Sequence, residues 1–153
     1  MIFILNVIDN PMEDINIIKG FGILYRTYLS YISKSLTVIN LSFSDSVFLV
    51  NIGDKEGISQ EEIASFLAID KAAIARSVKS MEKTGYVRTK RSNTDKRAKE
   101  LYLTDRGQEL YQYMCGLHEE WLRQVLVDFE PDKIKIFTQM IGQISERAKS
   151  YPK

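Results

Sequence analysis

The basic side chains of this sequence are concentrated in one short segment. Ten of its 21 lysines and arginines lie within residues 71–99, together with only two acidic residues, Glu82 and Asp95. The rest of the chain carries eleven basic and eighteen acidic residues. Lysine and arginine at this density neutralise phosphates, so the segregation indicates contact with a polyanion. Charge alone leaves open a second interpretation, a solvated basic face without a partner.

Residues that support enzymatic chemistry are sparse. The chain has one histidine, His118, one cysteine, Cys115, and no glycine-rich loop of the kind that cradles phosphates. A metal site needs several ligands and covalent catalysis needs a nucleophile beside a base, so neither is supported. We therefore expect a protein that is not an enzyme and binds no metal or cofactor. Cys115 lies beside an apolar helical stripe, which favours a buried structural thiol.

Cysteine usage and the amino-terminal residues bear on the compartment. A single cysteine excludes an internal disulfide and suits a reducing environment. Residues 1–8 are apolar but lack the basic lead-in and cleavage site of a signal peptide. They are also much shorter than the roughly 20 residues of a membrane span. The sequence predicts a cytoplasmic protein without a membrane partner, and an amino-terminal arm that is buried or packed against another subunit.

The first element that must position the basic residues is a helix over residues 71–83. Asp70 is a suitable N-cap and Gly85 a suitable C-terminal stop. The apolar residues of this segment recur at helical spacing and define an inward face. They are Ile74, Val78 and Met81. The basic residues lie largely on the other side.

A second helix is predicted directly before it. Residues 59–62 form a capping box, in which the Ser59 hydroxyl accepts from the Glu62 amide and the Glu62 carboxylate reaches back. We expect this helix to bury Ile63, Phe66 and Leu67. A further short helix is predicted over residues 44–52.

The third element is a hairpin. Residues 86–90 and 100–103 have the composition of strands, and residues 92–95 between them form a turn cluster. The hairpin therefore spans residues 86–103 and carries basic residues at its tip.

Long helices are predicted at both ends of the chain. One covers residues 13–37, one begins after its N-cap Thr104 and runs for about 25 residues, and the last begins at Pro131. The middle segment is too small to bury all the apolar faces of these helices. We therefore expect a second copy of the chain to cover them. The predicted organisation is an amino-terminal dimerisation helix (1–40), a DNA-binding lobe (41–103) and carboxy-terminal dimerisation helices (104–153).

Three helices followed by a basic hairpin are typical of a winged helix-turn-helix. The predicted fold class is mainly α (α+β), a winged helix-turn-helix with long terminal dimerisation helices. A helix fits the major groove of DNA, and the small side chains of Ala72, Ala73 and Ala75 would let its backbone approach the bases. An alternative is a winged-helix module that binds protein without specific DNA binding. The basic helix and tip together favour DNA.

The hairpin also resembles a known family. Residues 95–107 are similar to the wing signature of MarR-family regulators, which is an Asp-x-Arg tip, a return strand and then Leu-Thr-x-x-Gly. Residues 59–67, 70–81 and 85–87 match the recognition-helix region of that family in order and spacing, so the resemblance covers about residues 41–107. It implies a bacterial transcriptional regulator, expected to be a repressor, that forms a triangular homodimer with interlocked terminal helices.

The resemblance also implies the residues that contact double-stranded DNA. In the wing, Arg97 would enter the minor groove, Asp95 would hold its guanidinium, and Lys96 would touch a phosphate. Ser59 and Gln60 would lie near the backbone at a helix N-terminus. The residues facing the major groove would be Lys71, Ala72, Ala73, Ala75, Arg76 and Lys79. A two-fold dimer would read a pseudo-palindrome with half-sites about one helical turn apart.

The resemblance raises a further expectation, a small effector. Members of the family often respond to small phenolic or anionic ligands held between the DNA-binding lobe and the dimer helices. Tyr25, Tyr28 and Tyr31 follow one another at a spacing of three and are candidates to line such a pocket. The other interpretation is that this aromatic stripe belongs to the core or to a subunit interface.

Overall fold

The structure, a computed structural model, describes residues 11–92 and 98–151. Within those ranges it has six helices and three strands, so the expected mainly α fold is confirmed. In chain order they are α1 (Pro11–Val38), α2 (Phe43–Asp54), β1 (Ile58–Ser59), α3 (Gln60–Leu67), α4 (Lys71–Lys83), β2 (Val87–Arg91), β3 (Lys99–Leu103), α5 (Asp105–Val125) and α6 (Pro131–Lys149). The chain divides into two compact units, one ending at Asn40 and one beginning at Leu41.

The first unit contains α1, which begins two residues before the predicted helix and ends one residue after it. Ile32 and Leu36 are buried, whereas Ile18 and Ile23 are exposed. Over the described ranges, no single helix is long and apolar enough to span a membrane, and α1 and α2 meet that criterion only as a broken pair. The residue 1–8 arm lies outside the described residues.

The second unit is built around α2. This helix packs against α4, α5 and β3, and it buries Phe48, Leu49 and Ile52 in the middle of the unit. The other helices and the sheet close the core around it. Their buried side chains include Ile63, Ile74, Val78, Met81, Val87, Leu101, Leu103, Leu110 and Met114. The predicted inward face of α4 is therefore confirmed, because all three of its residues belong to this core.

The sheet has three antiparallel strands in the order β1-β3-β2. Val87 lies opposite Leu103 and Lys90 opposite Glu100, so β2 and β3 form the predicted hairpin. β1 adds Ile58 opposite Leu101. This strand was not predicted, because two residues carry no periodicity. It connects the segment before α3 to the wing, which we define as the hairpin of residues 86–103.

Three predicted N-caps are confirmed. The Ser59 hydroxyl accepts from the Glu62 amide at 3.1 Å, and the Glu62 carboxylate accepts from the Ser59 amide at 2.8 Å. The Asp70 carboxylate accepts from the Ala73 amide at 2.9 Å. Each of these bonds satisfies an amide that the first helical turn leaves unpaired. Thr104 caps α5 in the same way.

One predicted core residue of α3 is wrong. Phe66 is 57% exposed, and Leu67 is only half-buried. The inward direction of this eight-residue helix is set by Ile63 and Ala64, and Phe66 lies about 100° to one side of it. The Phe66 ring instead has the ammonium of Lys149, from α6, 4.4 Å from its centroid.

A close approach at the start of α5 explains the glycine of the Leu-Thr-x-x-Gly motif. A Cβ at residue 107 would lie 2.0 Å from the carbonyl oxygen of Tyr86. That oxygen already accepts from the Thr104 amide at 3.0 Å, and the Thr104 hydroxyl accepts from the Gly107 amide at 3.0 Å. The end of the wing and the start of α5 therefore share one set of hydrogen bonds.

We expect Gly107→Ala to lower the free energy of unfolding by about 1–3 kcal/mol, because a backbone carbonyl cannot rotate away as a side chain does. Urea denaturation measures this change. Gly116→Ala is the matched control on the same helix, since a Cβ there meets nothing within 4 Å. Alanine's helix propensity should leave that variant unchanged or more stable. Equal stability of the two variants would refute the close approach.

A second stability prediction concerns Glu62. The pKa of its carboxyl is lowered to about 2, first by the hydrogen bond from Lys55 and then by the Ser59 amide. The ammonium of Lys55 is 2.6 Å from the Glu62 carboxylate, and both side chains are about half exposed. Because the folded pKa lies below the unfolded value, this stabilisation is complete above about pH 4.5 and is lost as the pH falls towards 2.

We expect Glu62→Gln to lower stability at pH 7 by about 1 kcal/mol, a small value because water screens an exposed pair. Glutamine can still accept in a capping box, so the loss isolates the charge. Urea unfolding at pH 7 and pH 3 should show the difference between the two proteins shrinking in acid. A difference that stays constant would contradict the assignment to the carboxylate.

Candidate nucleic-acid interface

The outward face of α4 carries a row of basic and small side chains. Lys71, Ala75 and Lys79 follow one another at four-residue intervals on the exposed side of the helix. Ala72 and Arg76 form a second exposed row beside them. Ala73 is half-buried at the edge of this face. The six α4 residues that were expected to face the major groove therefore lie on one surface of the structure.

The structure holds α4 from both sides. The Ser80 hydroxyl donates to the Asp45 carboxylate of α2 at 3.2 Å, and the Thr89 hydroxyl of β2 donates to Glu82. A helix that must present side chains to a partner gains precision from such cross-links.

The C-terminal end of α4 is closed by Arg106 of α5. Its guanidinium donates to the carbonyl of Thr84 at 2.9 Å and to the hydroxyl of Tyr86 at 3.3 Å. It also lies 4.6 Å from the centroid of the Tyr86 ring. The negative end of the helix dipole attracts a cation at this position, and the guanidinium also satisfies a terminal carbonyl of α4. Sequence reasoning missed Arg106, since nothing in the local pattern connects it to a helix twenty residues earlier.

Lys71 is not isolated at the start of α4. Its ammonium is 2.5 Å from the carboxylate of Glu61 on α3, with both side chains about three-quarters exposed. Sequence reasoning did not predict this ion pair. A phosphate that approaches Lys71 must compete with Glu61 for it.

The other nominated residues near α4 lie at the start of α3. Ser59 and Gln60 are both half-buried, and Ser59 is at once the last residue of β1 and the N-cap of α3. Its hydroxyl accepts from the Glu62 amide, so its own hydrogen is available to a second acceptor.

The tip of the wing lies outside the described residues. Asp95, Lys96 and Arg97, the three nominated residues of the wing, fall within the undescribed segment 93–97. At the base of the tip, the Ser92 amide donates a hydrogen bond to the Ala98 carbonyl at 3.0 Å. Ser92 itself is buried. The two strands are therefore paired up to the base of the tip.

The tyrosines nominated for an effector differ in exposure. Tyr25 is exposed on α1, and Tyr28 and Tyr31 are half-buried. Burial raises the pKa of the Tyr28 hydroxyl above its ordinary value. Their role as pocket residues stays a prediction.

The remaining reactive side chains lie on α5. Cys115 is half-buried rather than fully buried as expected. Burial lowers the pKa of His118. In the part of the chain that the structure describes, no three His, Cys, Asp or Glu side chains are placed to hold a metal ion.

Comparisons with known proteins agree on one family. The model of the MarR family matches residues 39–98. An HTH-type transcriptional regulator, BilQ, from Clostridium symbiosum is 34% identical over 102 residues, which is 65% of this chain and 71% of the relative.

Solved structures give the same result. A MarR-family transcriptional regulator from Listeria monocytogenes, crystallised with a 26mer DNA, is 26% identical with a TM-score of 0.80, covering 86% of this chain and 88% of that one. Staphylococcus aureus MarR, in complex with salicylate and kanamycin, is 26% identical with a TM-score of 0.75, covering 93% and 96%. The relatives are transcriptional regulators rather than enzymes, and this chain belongs to the MarR family of DNA-binding, winged-helix transcriptional regulators.

Proposed function

We propose that this protein is a homodimeric repressor of the bacterial cytoplasm that binds a pseudo-palindromic operator in double-stranded DNA and is released by a small effector. The observation that carries the proposal is the exposed basic face of α4, with alanines between its cations. Residues 41–103 form the DNA-binding lobe, and residues 1–40 and 104–153 form the dimer.

In the major groove, the basic side chains and the alanines of α4 have different roles. Arg76, Lys71 and Lys79 meet base edges and phosphates, because arginine and lysine match the acceptors of guanine and of the backbone. Ala72, Ala73 and Ala75 keep the helix axis close to the bases and contact thymine methyl groups. Ser59 and Gln60 donate to phosphate at the start of α3, where the helix dipole favours an anion.

In the minor groove, the wing tip supplies the contact. Arg97 inserts into the groove, Asp95 orients its guanidinium, and Lys96 touches a phosphate. This assignment rests on the resemblance of residues 95–107 to the wing signature of the family, of which the family model itself matches residues up to 98. Narrow A/T-rich minor grooves attract arginine through their enhanced negative potential, which supports the choice of residue.

Dimerisation follows from the apolar side chains left uncovered on the terminal helices. α6 has no buried residue among those described, although Ile136, Met140 and Ile144 form an apolar row along it. Ile18 and Ile23 are similarly exposed on α1. Monomeric proteins rarely expose apolar surface on this scale, so a second copy is the natural cover.

A small phenolic or anionic effector is proposed by analogy. The S. aureus relative was crystallised with salicylate, which is both phenolic and anionic. In this chain Tyr25, Tyr28 and Tyr31 are the candidates to contact such a molecule. An effector can release DNA only if it binds the DNA-free conformation more tightly than the DNA-bound one.

Selection of duplexes from a random DNA pool tests the proposal. We expect enrichment of one motif with two-fold symmetry and half-sites about one helical turn apart. A variant with Arg76→Ala and Lys79→Ala should lose the enrichment. The charge-matched control, Lys135→Ala with Lys149→Ala on the side of α6 opposite Met140 and Ile144, should keep it. Failure of the wild-type protein to enrich any duplex at low ionic strength would refute DNA binding and favour a module that binds protein.

A smaller effect is expected at Glu61. Glu61→Gln should tighten DNA binding about two-fold and steepen its salt dependence, because the Lys71 ammonium then becomes available to a phosphate. Fluorescence anisotropy across a salt series measures both quantities. Glu120→Gln is the control, since it also removes the acid from a surface ion pair, with Arg123 at 2.6 Å on α5. Equal effects of the two variants would show that only net charge matters.

A further inference from the structure

The outer face of the sheet gathers charged and aromatic side chains at the base of the wing. Arg88 lies opposite Tyr102 and Lys90 opposite Glu100 across the β2–β3 pair. Residues directly opposite in an antiparallel pair share a face, and so do residues two apart along a strand. All four therefore lie on the side away from the buried Leu101.

Two cations lie close to one tyrosine ring on this face. The guanidinium carbon of Arg88 is 5.1 Å and the ammonium of Lys90 is 4.9 Å from the centroid of the Tyr102 ring. Both distances are within the range of cation–π attraction. Arg88 and Lys90 are exposed, whereas Tyr102 is half-buried. The ring thus holds two solvent-facing cations against the strand.

Tyr102 is itself anchored. Its hydroxyl donates to the Glu100 carboxylate at 2.8 Å. The pKa of Glu100 is lowered, first by a hydrogen bond from the Ser92 side chain and then by the bond from Tyr102. Gly57 lies behind the hydroxyl with φ of +78°, and a Cβ there would be 3.1 Å from the Tyr102 oxygen. The ring therefore has little freedom to move.

Three carboxylates act on this cluster: Glu100 is bonded to the Tyr102 hydroxyl, and Glu56 and Glu62 act on Tyr102 and Glu100 electrostatically. Arg88 and Lys90 still carry like charges beside the same ring and repel each other. A bound anion would relieve that repulsion. An arginine fork beside an ammonium suits the oxygens of a phosphate group.

We propose that Arg88 and Lys90 form a binding site for a phosphodiester of the DNA backbone at the base of the wing, with Tyr102 as the residue that positions them. The inference rests on the proposed function. Lys90 is the last but one residue of β2, close to the end of the strand that leads into the tip. The grooves of B-DNA are about 6 and 12 Å wide, so a tip in the minor groove leaves the strand at the level of the flanking backbone.

The first test replaces both cations. Arg88→Gln with Lys90→Gln should weaken binding to the selected operator about ten-fold near 150 mM salt, and should reduce the slope of log affinity against log salt by one to two. Preference among DNA sequences should not change. Lys135→Gln with Lys149→Gln removes the same charge from the side of α6 opposite Met140 and Ile144, and should leave the slope near that of the wild type.

The second test separates the ring from its hydroxyl at constant net charge. Tyr102→Leu should weaken binding several-fold and lower the salt slope, because the two cations lose their platform. Tyr102→Phe keeps the ring and should retain the wild-type slope. A thermal midpoint within a few degrees of the wild type identifies folded variants. A purely structural role of Tyr102 would change that midpoint and leave the slope alone.

The outcomes that overturn the inference differ from those that overturn the proposed function. Wild-type binding together with an unchanged slope in the Arg88→Gln, Lys90→Gln variant refutes the phosphate site and leaves DNA binding intact. A normal slope in Tyr102→Leu refutes the positioning role. Absence of wild-type binding to any duplex refutes the proposed function itself.

Discussion

A variant with Met140→Glu and Ile144→Glu is expected to sediment as a monomer and to bind the operator at least about 100-fold more weakly. These side chains are 53% and 43% exposed on α6, a helix with no buried residue among those described. In the proposed homodimer they are covered by the second copy, so each substitution places an unpaired carboxylate in an apolar interface. The loss in DNA affinity follows because two linked lobes gain a factor of about 10²–10⁴ over one.

Sedimentation velocity and anisotropy on the same samples measure the two effects together. Gln139→Glu with Gln143→Glu adds the same charge to the same helix at exposed polar positions and should remain dimeric. The fold of the single chain is not at risk, because neither Met140 nor Ile144 belongs to the core. A dimer that persists in the first variant would rule out this face of α6 as the interface.

The second large effect is expected at the wing tip. Arg97→Ala should weaken operator binding by about 1–3 kcal/mol, or roughly five- to 150-fold, without lowering the thermal midpoint. In the proposed complex the guanidinium contributes both a charge in the minor groove and a planar hydrogen-bonding group, and alanine removes both. Binding should weaken most for operators with A/T-rich flanks.

Two further variants sharpen the test of Arg97. Arg97→Lys keeps the charge, so it should recover only the part of the affinity that depends on charge. Asp95→Asn should weaken binding to a smaller degree, since it frees the guanidinium without removing it. If Arg97→Ala binds as the wild type does at matched salt, the minor-groove assignment is wrong.

Predictions from sequence were most accurate where the determining contacts are local. The N-caps at Ser59 and Asp70 depend on residues three positions away, so the sequence displays both partners at once. The bounds of α4 and the pairing of β2 with β3 follow from such signals. The MarR-family fold was recognised for the same reason, because residues 95–107 keep their motif within thirteen positions.

Predictions failed where a residue's environment depends on distant parts of the chain. Phe66 was assigned to the core by spacing, but the direction of its short helix is set by packing elsewhere. β1 is too short to have a pattern. The contacts of Arg106 with Thr84 and of Lys71 with Glu61 join separate elements, and the platform of Tyr102 depends on strand register. The periodicity of a single sequence cannot predict contacts between residues of separate elements.

The shared hydrogen bonds at Thr104 and Gly107 join the wing to the start of α5, so the two should move together. Thr104 is the only residue between β3 and α5, and it is bonded to the carbonyls of Gly85 and Tyr86 as well as to Gly107. The 21 residues of α5 extend about 30 Å from this joint. A tilt of α5 by about 5° about its far end therefore moves Thr104 by about 3 Å, and with it α4 and the described base of the wing. In the proposed homodimer, a small change in the angle between the two α5 helices would be enough for the proposed effector to move both α4 helices out of register with their half-sites.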